Sequence, residues 1–269
     1  MKKPISDYHI HTPLCNHASG EPAEYCEQAI KMGLEEIGFS DHAPLVAYED
    51  PNVTMQHDQL PDYYKMMEMV KNEFNDRLRI KIGIEADFIP GYEARTKKIL
   101  DDYPYDFVIG SVHFIDDWAF DNPDIVQSWS DKDVDQVYIN YYEMLRQSAA
   151  TGLFNIMGHV DLVKKFKHRP GRDLSDEIEK TAKVFKDSGV AVEINTAGLR
   201  KPAQEMYPAA RDLAIYCVAG VPLTFGSDAH TPDEVGKDFD KAIELARSVG
   251  YTEYALFKQR EIERVVKID

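Results

Sequence analysis

Residues 7–11 read Asp7-Tyr8-His9-Ile10-His11, and apolar runs further along the chain close in the same way. Ile37-Gly38-Phe39-Ser40 leads into Asp41-His42, and Ile80-Lys81-Ile82-Gly83-Ile84 ends on Glu85. The run 107–112 delivers His113, 154–158 delivers His159, and 221–226 delivers Ser227-Asp228-Ala229-His230. The run 190–195 ends on Asn195, with neither a histidine nor a carboxylate. These runs are continuously apolar rather than alternating, as parallel strands buried on both faces are. Helix-like patterns separate them, at 22–32, 60–75, 92–100, 133–151, 175–188, 207–219 and 232–249. Asp133 and Ser175 are candidate N-caps. Gly33, Gly152, Gly189, Gly220 and Gly250 each follow a helical pattern, as C-terminal caps do. Strand and helix alternating about seven times predicts parallel strands joined by crossover helices. An open sheet and a closed barrel share that alternation. A barrel gathers every C-terminal strand end around one mouth. An open sheet would spread the same residues along an edge too long for one site. The sequence therefore predicts an α/β fold, a (β/α) barrel of about seven strands.

Length and composition fit that reading. A barrel of 269 residues is routinely one domain, here 1–269. The formal net charge of −16 argues against binding a nucleic acid polymer. Cys15, Cys26 and Cys217 are odd in number and widely spaced, which suits a reducing cytoplasm rather than a disulfide framework. Met1-Lys2-Lys3-Pro4 carries no apolar leader, and no run is long enough to span a membrane. No obligate protein partner is evident.

Imidazole is the commonest metal-ligand side chain. Of nine histidines, only His57 and His168 fall outside the strand-end pattern. His9 and His11 are two apart on a strand and so share a face. His17, His42, His113, His159 and His230 complete seven imidazoles, joined by Glu85 and Asp228. A tetrahedral site uses three or four protein ligands, so this set is sized for two or three ions. Nitrogen and oxygen donors admit Zn, Mn or Fe. Cys15, between His11 and His17, is either a thiolate ligand or a packing cysteine.

The motifs together resemble the polymerase and histidinol phosphatase (PHP) superfamily, in particular its histidinol-phosphate phosphatases. They are Asp7–His11 with His17, Phe39-Ser40-Asp41-His42, Gly83-Ile84-Glu85-Ala86-Asp87 and Gly110-Ser111-Val112-His113-Phe114. Gly158-His159-Val160-Asp161-Leu162, the stretch from Glu193 to Lys201, and Gly226-Ser227-Asp228-Ala229-His230 complete them. The resemblance spans residues 7 to about 240 and implies a distorted (β/α)7 barrel with three divalent metal ions per chain. It implies that His9, His11, Glu85 and Asp228 hold one ion. Glu85, as a bridge, holds the second with His113 and His159, and His17, His42 and His230 hold the third. The implied substrate is L-histidinol phosphate, a small phosphomonoester of histidine biosynthesis.

Clustered divalent ions lower the pKa of a bound water and clamp phosphoryl oxygens. The expected reaction is in-line hydrolysis, with Asp228 orienting the nucleophile or taking its proton. Asp161 is either the proton donor to the leaving alkoxide or a carboxylate that orients a ligand histidine. Arg200, after the run without a histidine, offers a guanidinium fork to phosphate, beside Thr196 and Lys201. Lys164 and Lys165 are further candidates. The loop 114–121, with Asp116, Asp117, Trp118 and Asp121, suits an amine and an imidazole. Three other readings compete. One is an amidohydrolase-type barrel, which needs a bridging lysine where this chain has Glu85. Another is a phosphatase or phosphodiesterase for a different small phosphate such as a nucleotide. The last is a non-catalytic, metal-stabilised module.

Overall fold

The computed structural model describes residues 5–48 and 50–268, so the expected leaderless start at Met1 to Pro4 lies outside the described residues. Six strands form one parallel sheet in sequential order. They are β1 (Glu36–Phe39), β2 (Arg79–Asp87), β3 (Phe107–Ser111), β4 (Ile156–Met157), β5 (Ala191–Asn195) and β6 (Leu223–Gly226). Residues 7–11 close the ring between its two edges. On one side Gly38 N donates to Asp7 O at 2.8 Å and Ser40 N to Ile10 O at 2.9 Å. On the other, Tyr8 N donates to Phe225 O at 3.1 Å and His11 N to Ala229 O at 2.9 Å. This seventh segment pairs through isolated parallel bridges, Asp7 with Ile37 and Ile10 with Ala229. The expected distorted seven-stranded barrel is what forms.

Among the described residues, seven α-helices accompany the strands: α1 (Pro22–Met32), α2 (Leu60–Glu73), α3 (Glu93–Asp101), α4 (Val134–Ala150), α5 (Ser175–Ser188), α6 (Ala210–Ala219) and α7 (Phe239–Ser248). Local chemistry sets their ends. Pro22 opens α1, and Glu21 and Glu24 satisfy each other's backbone N–H groups as a capping box. The Asp133 carboxylate accepts from Gln136 N and caps α4, as expected. Ser175 is not a cap. It is the first residue of α5, Leu174 holds the cap position, and Asp173 accepts from Ser175 N at 3.0 Å. Along α5, Ile178, Ala182 and Phe185 form the buried stripe that a 3.6-residue period produces.

Large aromatic side chains fill the barrel interior beneath the strand ends. Phe107 is fully buried against Tyr8, with ring centroids 4.8 Å apart. A Cβ at Gly83 would lie 2.4 Å from the Phe107 ring, so the strand passes the ring only without a side chain. Burying one such phenylalanine stabilises the fold by roughly 1.5–3 kcal/mol.

Three elements differ from the sequence expectation. The helix foreseen at 232–249 is a short 3-10 turn, Pro232–Glu234, followed by α7. Gly236 and Asp238 between them take left-handed φ of 65° and 62°, which an α-helix does not admit. The helix foreseen from residue 207 begins at Ala210, beyond Pro208. A hairpin not foreseen follows α7: β7 (Glu253–Lys258) pairs antiparallel with β8 (Glu261–Lys267). Its turn residues Gln259 and Arg260 both have positive φ, 51° and 63°. The hairpin covers the N-terminal ends of the barrel strands. Phe257 N donates to Tyr8 Oη at 3.2 Å, and Asn155 Nδ2 donates to Arg260 O at 2.7 Å. Among the described residues, no helix is long and apolar enough to cross a membrane.

Candidate metal centre

The C-terminal strand ends converge on Glu85. Near its Oε2 lie His9 Nε2 at 3.2 Å, His11 Nε2 at 3.5 Å and His42 Nδ1 at 3.1 Å. Its Oε1 lies 3.1 Å from His159 Nε2 and 3.9 Å from His113 Nε2, and accepts from Ser111 Oγ. Asp228 Oδ1 lies 3.3 Å from His11 Nε2 and 3.9 Å from His9 Nε2. His17 Nε2 and His230 Nε2 are 3.0 Å apart, and His42 offers its nitrogen within 4.8 Å of both. All nine expected ligand residues thus share one cluster. Cys15 joins it loosely, its sulfur within 4.8 Å of donor atoms of His11 and His230. It is fully buried, and burial pushes its thiol up out of the range where a thiolate forms readily.

Three of the inward donor atoms are left without hydrogen bonds. His9 Nε2, His11 Nε2 and Glu85 Oε2 are buried and unpartnered among the described residues. Buried polar atoms in that state are costly unless something coordinates them. The donor set, imidazole nitrogens with carboxylate oxygens, suits divalent cations. Glu85 and Asp228 are fully buried, yet the neighbouring imidazoles overcome that burial and hold both carboxyls well below their usual range. Burial opposes protonation of His9, but Glu193 and Glu85 draw its pKa well above the ordinary value. His11 is raised to about 9 and His113 to about 10 against the same opposition, by Asp228 and Asp41 in one case and Asp87 in the other. His17, His42 and His230 go down, chiefly through burial.

Further groups fix the rings. Glu193 Oε1 meets His9 Nδ1 at 2.7 Å, and its Oε2 accepts from His159 N at 2.9 Å and Asn195 Nδ2 at 3.1 Å. A Cβ at Gly226 would lie 1.9 Å from Glu193 Oε1, so only glycine lets this carboxylate reach His9. Asp87 Oδ1 meets His113 Nδ1 at 2.9 Å. The carbonyls of Cys15 and Asp228 meet His17 Nδ1 and His230 Nδ1 at 2.8 and 3.1 Å. Asp7 accepts from His9 N, Ser227 N and Gly236 N, tying the first strand to the Asp228 loop, and burial raises its pKa to about 6. Glu193, Asp87 and Asp7 went unassigned in the sequence. For Glu193 and Asp7 the available signal was a carboxylate within or beside a buried run that holds no cation; Asp87 gave no such signal, because its strand also carries Arg79 and Lys81.

The other expected site residues divide. Arg200 Nη2 donates to Ser227 O at 2.7 Å, and Nε lies 2.8 Å from Glu234 Oε1, while Nη1 is buried without a partner. The guanidinium is thereby fixed beside Asp228. Asp161 and Lys164 meet each other at 2.6 Å, below the surface. Lys164 Nζ also donates to Met206 O at 2.7 Å, and Asp161 Oδ2 accepts from Ala209 N at 2.8 Å. Asp161 touches no ligand imidazole, and burial raises its pKa against the pull of Lys164. These placements make Lys164 an internal counter-charge rather than a mouth residue. Lys165 Nζ pairs with Asp121 at 3.0 Å. Asp121 is held below its usual range despite burial, by Lys165 and the nearby His113. Asp116 and Asp117 stand exposed on a tight turn closed by Ile115 and Trp118. The Trp118 ring packs 4.9 Å from Trp129, with Lys132 Nζ 4.6 Å from its centroid.

Residues 7–197 match the PHP domain family, and the chain belongs to it. Its relatives include histidinol-phosphatases. It is 41% identical over 248 residues to the "Probable histidinol-phosphatase" of Deinococcus radiodurans, covering 91% of this chain and 94% of that one. It is 32% identical over 266 residues to the histidinol-phosphatase of Bacillus subtilis, covering 88% and 98%. A crystal structure of the Lactococcus lactis histidinol phosphate phosphatase, complexed with Zn, L-histidinol and phosphate, shares the fold. Its TM-score is 0.83 at 24% identity, covering 97% of this chain and 99% of that one.

Proposed function

We propose that this chain hydrolyses L-histidinol phosphate to L-histidinol and phosphate, using a centre of three divalent ions. The observation that carries the reading is the gathering of eight ligand-type side chains around Glu85, with His9 Nε2, His11 Nε2 and Glu85 Oε2 left unpartnered. The identity to histidinol-phosphatases along nearly the whole chain supports the choice of substrate.

The residues divide the work. His9, His11, Glu85 and Asp228 would hold one ion; Glu85, His113 and His159 a second; His17, His42 and His230 a third. When bound, divalent ions supply Lewis acidity toward the phosphoryl oxygens and make a coordinated water acidic. Asp228 receives the proton of the attacking water, and the Asn195 amide, 3.2 Å from its Oδ2, keeps that carboxylate in place. Arg200 Nη1 is the donor left for a phosphoryl oxygen once Ser227 and Glu234 hold the rest of the guanidinium. Water attacks phosphorus, the bond to the histidinol oxygen breaks, and the leaving alkoxide takes its proton from solvent. Asp161, paired with Lys164 below the surface, is assigned no proton transfer. Asp121, the loop carboxylate set beside His113, faces the amine or imidazole more directly than exposed Asp116 and Asp117.

The test is phosphate release by the metal-loaded protein from L-histidinol phosphate, a nucleotide monophosphate and a phosphodiester in parallel. The reading expects turnover of the first to exceed the others by at least a hundredfold in kcat/KM. Equal or greater turnover of the nucleotide or the diester overturns it.

A further inference from the structure

The barrel has a second concave face, at the end opposite the metal centre. A cavity of about 580 Å³ opens there, between the starts of β1 and β2 and the hairpin β7–β8. Five cationic side chains line it, Lys71, Arg79, Lys81, Lys258 and Arg264, against three carboxylates, Glu36, Asp106 and Glu263. Such a surplus is unusual on a chain of net charge −16.

The carboxylates are already engaged. Glu36, buried, accepts from Tyr8 Oη and from Arg79 Nε at 3.0 Å. Glu263 takes the nine-tenths buried Lys81 at 2.8 Å. Asp106 Oδ2 accepts from Ile82 N at 3.1 Å. What remains is loosely matched: Lys71 lies 3.7 Å from Asp106, Lys258 lies 3.9 Å from Glu263, and Arg264 lies 3.9 Å from Glu36. None of the three is within hydrogen-bond distance of its carboxylate. Each keeps donors free, each is about half exposed, and they sit around one concavity whose walls include Leu78 and Ile80. Guanidinium and ammonium groups converging from separate elements recognise phosphoryl oxygens. One phosphate would leave part of this ring unmatched.

We infer that this cavity is a binding site for a small bisphosphorylated molecule, separate from the metal centre. Two phosphoryl groups would engage Lys71, Lys258 and Arg264, with Arg79 between them, and the aliphatic wall would cover the connecting carbons.

The test uses the metal-loaded, full-length protein with fructose 1,6-bisphosphate as probe, read by acetylation of individual lysines. The probe should slow acetylation of Lys71 and Lys258 at least fivefold relative to Lys183, which is 77% exposed elsewhere. Sodium sulfate at matched ionic strength should not. Arg264→Ala should abolish the protection, Arg264→Lys should keep part of it, and both variants should retain wild-type hydrolysis at the metal centre. Uniform rates at all three lysines overturn the inference. So does equal protection by sulfate, which would be charge screening, and so does protection that survives Arg264→Ala.

Discussion

Glu85 shows how much one side chain carries. Its two oxygens face five imidazoles. Glu85→Gln keeps the volume and removes the charge. It should abolish measurable hydrolysis while far-ultraviolet circular dichroism stays unchanged; an active variant would mean the bridge is misassigned. Glu193 acts one step back, through His9 and the His159 backbone. Glu193→Gln should weaken metal binding by about 10- to 100-fold, the usual effect of losing a partner that orients a ligand. Competition with a chromophoric chelator measures this, and unchanged affinity would leave Glu193 a packing residue. Arg200→Ala should lower kcat/KM by the equivalent of about 2–5 kcal/mol, on L-histidinol phosphate and on an aryl phosphate alike. Asp121→Asn should raise KM for the first substrate only. Most ligand histidines were legible because they sit at or just past a strand end, where the barrel mouth fixes their direction; His17, on a bend after the 3-10 turn Pro13–Cys15, is the exception. Glu193 was not, because a carboxylate in mid-strand says nothing of its partner until Gly226 is seen making room for it.

The elements follow the sequence where packing and local chemistry agree. α1 and α5 run over the residues expected, α1 from its capping box and α5 from its apolar stripe and the left-handed Gly189 that ends it. The hairpin β7–β8 escaped notice for a physical reason. Two-residue hairpin turns with positive φ are ordinarily signalled by Asn-Gly or Asp-Gly, and here Gln259 and Arg260 do the job. Tertiary contacts, such as Phe257 N with Tyr8 Oη and Lys81 with Glu263, hold the turn in place of sequence preference. The strand 7–11 was expected as a run closing on His9 and His11, and it forms by bridging both edges rather than as a long ladder. Phe107 ties these elements together inside the barrel. Phe107→Ala should destabilise the fold by about 3–5 kcal/mol, read as a lower urea midpoint at unchanged slope. A loss below 1 kcal/mol would mean the interior repacks around the gap.

The molecule as a whole couples metal, protons and fold. In the metal-free protein His11 and His113 hold protons up to about pH 9 and 10. Both pKa values are raised, so the ion-pair stabilisation they give the metal-free fold is full below about 6.5. It is lost as pH climbs through 9 to 10. Ligation requires neutral rings, so loading at pH 7 should release protons, and metal affinity should rise with pH across that same window. Calorimetry in buffers of different ionisation enthalpy measures the released protons; no buffer dependence would contradict the ligand roles of His11 and His113. We propose that three ions held by these nine residues drive hydrolysis of L-histidinol phosphate. The most direct measurement reloads metal-free protein stepwise and follows metal content and phosphate release in the same samples. Three ions per chain at saturation are predicted, with release from L-histidinol phosphate appearing as the sites fill and vanishing with chelator. Saturation at a single ion, or release that persists in the metal-free protein, would contradict it.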